Sequence, residues 1–331
     1  FSLRAGTGWK PEIIKPKIKA KTIAVAPGVE TLRKALSKAN SGDVLTLETG
    51  EYILEKSIKI SGNVTITGDK GGTSILRIKE KVNKPLNYFI RLNENAKLTI
   101  SNIFFDGKTQ NPKYAIVSPE ENQNGLYNVF AKNITFKNFT NTDGGSIFKA
   151  YKGTKADTLR FVSCRFEDSY RGLNLSYDKN TSGAYSANFI YIENSVFSNI
   201  EELAINYIRT TPSPLIPGGK LIIDHSVFYN IYNQEKGKII RTNGIHHVEI
   251  TNSVFDNSYK VKTALVLKGP KNSISNCLFH TSGFPKTSMN AKSEKILSKN
   301  PKWEDKQLFV PNENSVLLKK NNKTETIGLI Q

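Results

Sequence analysis

The sequence predicts an all-β chain folded as a right-handed parallel β-helix with a short N-terminal capping helix. Three observations predict it. A motif ending in phenylalanine recurs seven times, at spacings of 31, 30, 31, 31, 27 and 24 residues. The residues before each phenylalanine alternate apolar and polar, as in Ile190-Tyr191-Ile192-Glu193 and Val248-Glu249-Ile250-Thr251. That period of two belongs to a strand with one buried face, not to a helix. A lone strand cannot bury such a face, whereas equivalent strands stacked from successive coils can.

The motif reads ISNIFF (100–105), KNITF (132–136), VSCRF (162–166), ENSVF (193–197), DHSVF (224–228), TNSVF (251–255) and SNCLF (275–279). Its final residues, Phe105, Phe136, Phe166, Phe197, Phe228, Phe255 and Phe279, are expected to stack inside the solenoid. A period near 24 residues suits three short strands per coil, and the longer spacings add loops of about seven residues. Leucine-rich repeats have a similar period but need a Leu/Asn consensus and a helical segment. A propeller needs blades of roughly 40 residues. Three residues before the phenylalanine stand Asn102, Asn133, Asn194, Asn252 and Asn276, with Ser163 and His225 as variants. Asparagine suits a bend, so the row reads as a structural ladder and His225 as a substitution within it rather than a catalytic base.

Both ends of an open coil need a cover. Val29 to Ala39 places Leu32, Ala35, Leu36 and Ala39 on one helical face, and that helix is expected to cap the first coil. Residues 1–21, with a Gly-Trp-Lys-Pro opening and a Lys/Pro-rich run, read as a linker or the tail of a preceding domain. The β-helix is then expected over 22–291. A C-terminal segment, 292–331, loses the repeat and is expected to fold over the last coil.

The chain carries 47 Lys and Arg against 29 Asp and Glu, a net charge of +18. Charge of that size speaks to partners rather than fold: nucleic acid, an anionic surface or an acidic glycan. No nucleic-acid motif appears and the charge is spread along the chain, which favours the glycan. No apolar run is long enough for a membrane helix, so no membrane insertion is expected. Four scattered histidines propose no metal site, and phosphate loops and nucleophile elbows are absent. Cys164 and Cys277 share the site two residues before the phenylalanine but lie four rungs apart. Four steps of ~4.8 Å exclude a bridge, so both are expected to be reduced and buried.

Chemistry is expected on the strand that follows each phenylalanine motif. Aligned by rung, these strands are GSIFKAYKG (145–153), RGLNLSYD (171–178), LAINYIRT (203–210), KIIRTNG (238–244) and ALVLKGP (264–270). Inward Phe148, Leu173, Leu175, Ile205, Ile240, Leu265 and Leu267 leave Lys149, Asn174, Ser176, Asn206, Arg241 and Lys268 outward, flanked by Lys152, Arg171, Tyr177, Tyr207 and Arg209. With rungs ~4.8 Å apart, such a ladder can track an extended polyanion. Ordinary solvated lysines on a sheet face are the competing reading.

GDVLTLETGEY (42–52), the run of NSxF coils and the unit GAYSANFIYIENSVFSNI (183–200) resemble the pectate-lyase-like β-helices of polysaccharide lyase family six, the alginate and chondroitin B lyases. The nearer resemblance is to the second, C-terminal β-helix of the two-domain alginate lyases, which implies an upstream catalytic domain. The family implies β-elimination at a uronic acid, by a Lys base with an Arg nearby, and often calcium held by Asn and Glu on adjacent rungs. It also implies a secreted, periplasmic or cell-surface bacterial protein. No acidic calcium cluster can be placed in this sequence: no cofactor is evident and no metal ligand is assigned. For a lyase, Arg171, Arg209 and Arg241 are the candidate carboxylate neutralisers, and Lys149, Lys268 and Tyr177 the candidate proton-transfer groups. Lys152, Asn174, Asn206 and Tyr207 are candidate substrate-binding residues. The alternative is a non-catalytic glycan-binding module on the same fold.

Overall fold

The computed structural model describes residues 20–123, 125–175, 186–208, 218–287, 291–318 and 327–330. Alternating apolar residues form short strands, and each strand pairs in parallel with its equivalents one coil away. Ile190, for example, lies between Leu159 and Leu221. The coil beginning at Ala187 contributes Ala187–Glu193, Val196–Ile200 and Ile205–Ile208. The first two strands of each coil belong to one 18-stranded sheet bent into two walls, and the third to a 9-stranded sheet. This is the parallel β-helix that the repeat predicts. Strand pairing begins at Thr22–Val25 and continues to Ala291–Leu297.

The seven motif phenylalanines form one interior column, each no more than 2% exposed. From Phe166 to Phe279 successive rings stack nearly parallel, with centroids 4.3 to 5.0 Å apart. Phe105 and Phe136 extend the column with tilted rings, 5.0 Å from each other. The spacing equals the rung repeat, so an aromatic at one rung positions the next.

Two left-handed bends flank this strand, and they make a coil from what would be a long ribbon. At the first, Asn102, Asn133, Ser163, Asn194, His225, Asn252 and Asn276 all have φ between 45° and 56°. Asparagine tolerates that region because its short amide bonds locally, and here it bonds along the stack. Asn133 Nδ2 donates to Asn102 Oδ1 at 2.9 Å, and Asn276 Nδ2 to Asn252 Oδ1 at 2.6 Å. His225 adopts the same bend at φ 45°, with Nδ1 2.8 Å from Asp224. The second bend lies two residues after the phenylalanine, at Asn138, Asp168, Asn199, Asn230, Asn257 and Thr281, again with positive φ. Asn230 there donates to Asn199 at 2.9 Å, and Asn199 to Asp168 at 2.8 Å.

Beside the aromatic column runs a serine ladder. Ser195, Ser226 and Ser253 each accept an amide from the neighbouring rung and donate to the carbonyl two residues earlier. Cys164 and Cys277 occupy the same site, unbridged and fully buried, as their register requires. Burial pushes both thiols up to about 12.

The N-terminal helix spans Thr31–Leu36, with Leu32 buried and Ala35, Leu36 and Ala39 packed on the core. It lies between Gly28–Val29 and Val44–Leu47, the slot that Ile58–Ile60 fills one coil later. The C-terminal segment begins as the paired strand Ala291–Leu297, and its described residues from 303 on lie along a flank of the solenoid. Phe309, Leu317 and Ile327 pack on Val196, Val227, Val254 and Leu278, the outward residues just before the motif phenylalanines. That apolar column needs shielding from water, and the strap supplies it. Trp303 Nε1 donates to the buried Asp256 carboxylate at 2.8 Å and pins the strap.

Candidate functional site: a polar and basic column on the nine-stranded sheet

Strand register decides which outward side chains meet. On the nine-stranded sheet Lys149 pairs with Asn174, Asn174 with Asn206, Asn206 with Arg241 and Arg241 with Val266. Continuing the other way, Lys149 pairs with Val117, Val117 with Arg91 and Arg91 with Lys59. Lys59, Arg91, Lys149, Asn174, Asn206 and Arg241 therefore form one column. Its inward neighbours, Ile90, Ile116, Phe148, Leu173, Ile205, Ile240 and Leu265, are buried, so the strands cannot flip without exposing the core.

Lys59 and Arg241 are exposed and Lys149 is half-buried. Asn206 Nδ2 lies 3.4 Å from Asn174 Oδ1, and Asn174 itself is buried. Lys268, also exposed, lies off the column: it pairs with Asn243, one rung on and two residues along from Arg241. Lys149 and Arg241 are three rungs apart, ~14 Å at ~4.8 Å per rung. They cannot serve one sugar ring, whereas Arg241 and Lys268 are close enough to do so.

Other predicted residues fall elsewhere. Tyr207 turns inward, paired with Leu175 and Thr242, and its hydroxyl donates to the Ala187 carbonyl at 2.5 Å. Alternation demands this: with Ile205 inside, Asn206 is out and Tyr207 in. Tyr207 is therefore core rather than a substrate contact. Arg171 is held by an ion pair with Glu202 and stacks over Tyr170, so its guanidinium braces the coil bend. Lys152 is exposed in the turn after Lys149, and its carbonyl accepts the Asn122 amide at 2.7 Å. Ser176, Tyr177 and Arg209 lie outside the described residues.

Lys59 and Arg91 escaped the sequence reading because the early coils lack the phenylalanine motif. The apolar-basic-apolar strands IKI (58–60) and FIRL (89–92), matching IIRT (239–242), carry the signal that finds them. Among the described residues no group of three or more His, Cys, Asp or Glu side chains is placed to hold a metal ion. The calcium ligands implied by the family resemblance are thus not found among the described residues. A cleft of about 550 Å³ between Lys306–Phe309 and the flank also holds charges, most of them paired: Lys137 with Asp168, and Arg165 with Glu167.

The fold is a parallel β-helix, and its nine-stranded sheet presents this column outward. Among solved structures, the chain is similar to a PL6 family alginate lyase, AlyGC, with 19% identity and a TM-score of 0.61 over 88% of this chain and 42% of that one. An arginine-to-alanine variant of the same lyase matches at 20% identity and a TM-score of 0.62, with the same coverage. The chain thus spans less than half the length of those lyases, and at such identity the likeness is one of fold. No family model matches the sequence. No curated protein matches it either.

Proposed function

We propose that this protein engages an acidic, uronate-type polysaccharide along the outward column of its nine-stranded sheet, with β-elimination as its chemistry. The observation that carries the reading is the register that aligns Lys59, Arg91, Lys149, Asn174, Asn206 and Arg241 in one row. Cations interleaved with amides suit a polymer that repeats carboxylates and hydroxyls. The fold shared with an alginate lyase supports the same substrate class.

Elimination needs the carboxylate neutralised, so that the adjacent C–H becomes acidic, and a base for that proton. The C=C bond then forms as the neighbouring C–O glycosidic bond breaks, and the departing oxygen takes a proton from water. Arg241 can take the carboxylate bidentately. Lys268, in its neutral form, is the candidate base on the neighbouring rung. As in the family it resembles, such a protein acts outside the cytoplasm, where these polymers occur.

A second reading, a glycan-binding module, is favoured by one observation. Arg171 is committed to Glu202, which leaves Arg241 and Lys268 as the one described pair of predicted catalytic cations sharing a sugar-sized space. Absorbance at 235 nm with alginate, chondroitin sulfate and pectate separates the two. An increase lost in Lys268→Ala establishes the lyase. Retardation in alginate gels without any increase establishes the binding module, and neither result removes both.

A further inference from the structure

Arg91, next to Lys59 toward the other end of the row, is built unlike the rest. The Arg91 guanidinium lies over the Tyr88 ring, 4.6 Å from its centroid, and 5.7 Å from that of Tyr151. Tyr114 backs Tyr151 edge-on at 6.2 Å. The Arg91 side chain is only 16% exposed, and its buried Nε hydrogen has no acceptor among the described residues. Burial raises the Tyr151 phenol above its usual range, with Arg91 pulling it back.

Among the described residues one carboxylate reaches this guanidinium, Glu120, which ion-pairs with Nη1 and is itself 59% exposed. Its turn is anchored from both sides. Ser118 Oγ accepts the Tyr151 amide at 2.7 Å, and the Asn122 amide donates to Lys152 at 2.7 Å. The turn is therefore fixed while the Glu120 side chain is free to swing.

We propose that Arg91 is a uronate-carboxylate subsite of the polymer track and that Glu120 is its internal occupant, displaced when a uronate binds. The proposal rests on the polymer-binding reading above. A guanidinium set on aromatic faces is preorganised, so less conformational freedom is lost when it takes a carboxylate. Glu120 satisfies the fork only in part. An exposed ion pair is worth little, so an incoming carboxylate that also gains contacts along the track displaces it readily. Arg91 and Arg241 stand five rungs apart, ~24 Å at ~4.8 Å per rung. The two arginines thus bracket most of the track, with Lys59 one rung beyond Arg91.

The test is a double-mutant cycle on the whole chain with sodium polygalacturonate and alginate as probes, read by affinity electrophoresis and titration calorimetry. Glu120→Gln should tighten binding roughly twofold to fivefold, the range a released surface pair supplies. Arg91→Gln should weaken binding, and adding Glu120→Gln to it should bring no gain. Glu313→Gln, an exposed site on the C-terminal strap with the same charge change, should leave affinity unchanged. Equal gains from Glu120→Gln and Glu313→Gln, or a gain that persists without Arg91, overturn the proposal in favour of diffuse charge. So does an unchanged or weakened Glu120→Gln, provided that Arg241→Ala still loses binding, in which case the polymer reading stands alone. No binding by wild type and Glu120→Gln alike overturns both.

Discussion

Asn252 shows how much one side chain does in this solenoid. Its φ of 49° is left-handed, its amide donates to Asp224 at 2.8 Å, and its oxygen accepts from Asn276 at 2.6 Å. Replacing it with alanine loses these bonds and leaves its β-carbon in a region costing about 1–2 kcal/mol with no amide to offset the cost. Glycine loses the bonds but not the conformation. Urea denaturation should therefore rank wild type above Asn252→Gly, and that above Asn252→Ala, with about 1 kcal/mol between the two variants. The cysteines make a second case. Their thiols lie at about 12 in the fold, against 9.0 for a free thiol. Above pH 9 the unfolded chain has lost protons that the folded chain keeps, so stability falls as pH rises from about 9 toward about 12. Replacing both by serine, as at Ser195 and Ser226, should flatten that fall in denaturation measured at pH 8 and pH 10.

At the scale of elements, each ring of the phenylalanine column is held by the rungs on either side. Phe197 lies 4.3 Å from Phe166 and 5.0 Å from Phe228. Phe197→Ala should cost about 3–5 kcal/mol, because rigid strands leave the cavity unfilled. The C-terminal strap depends on a different contact. Trp303→Phe keeps the ring but loses the indole donor to Asp256, which still accepts from His280 and Thr281. The loss should be about 1 kcal/mol and confined to the strap, since the carboxylate stays satisfied. Hydrogen exchange should show faster exchange over residues 303–318, with the strands of the solenoid unchanged.

For the whole molecule, the charge of +18 sets a field and the sheet sets its direction. Arg241→Ala should weaken retardation in alginate gels more than loss of Lys15 or Lys17, which belong to the N-terminal run outside the described residues. Binding should also weaken steeply with salt, since exposed charges are screened over ~8 Å at physiological ionic strength. Equal losses for Arg241, Lys15 and Lys17 variants would reduce the polymer track to net charge alone.

The repeat was legible from sequence because stacking repeats the same environment in every coil, so selection for Phe, Ser and Asn leaves the same letters in register. Fold, aromatic column, first asparagine bend and unbridged cysteines follow from that periodicity, as does the row Lys149, Asn174, Asn206 and Arg241. The second bend at Asn199 and Asn230 was readable too, but its letters vary more. Tertiary structure decided what periodicity does not encode. It tied Arg171 to Glu202, laid the strap on the valine flank and set Arg91 between two tyrosines from different coils. Each of these is a contact between non-equivalent positions. A repeat specifies what stacks on itself, and only the closed coil brings unlike positions together.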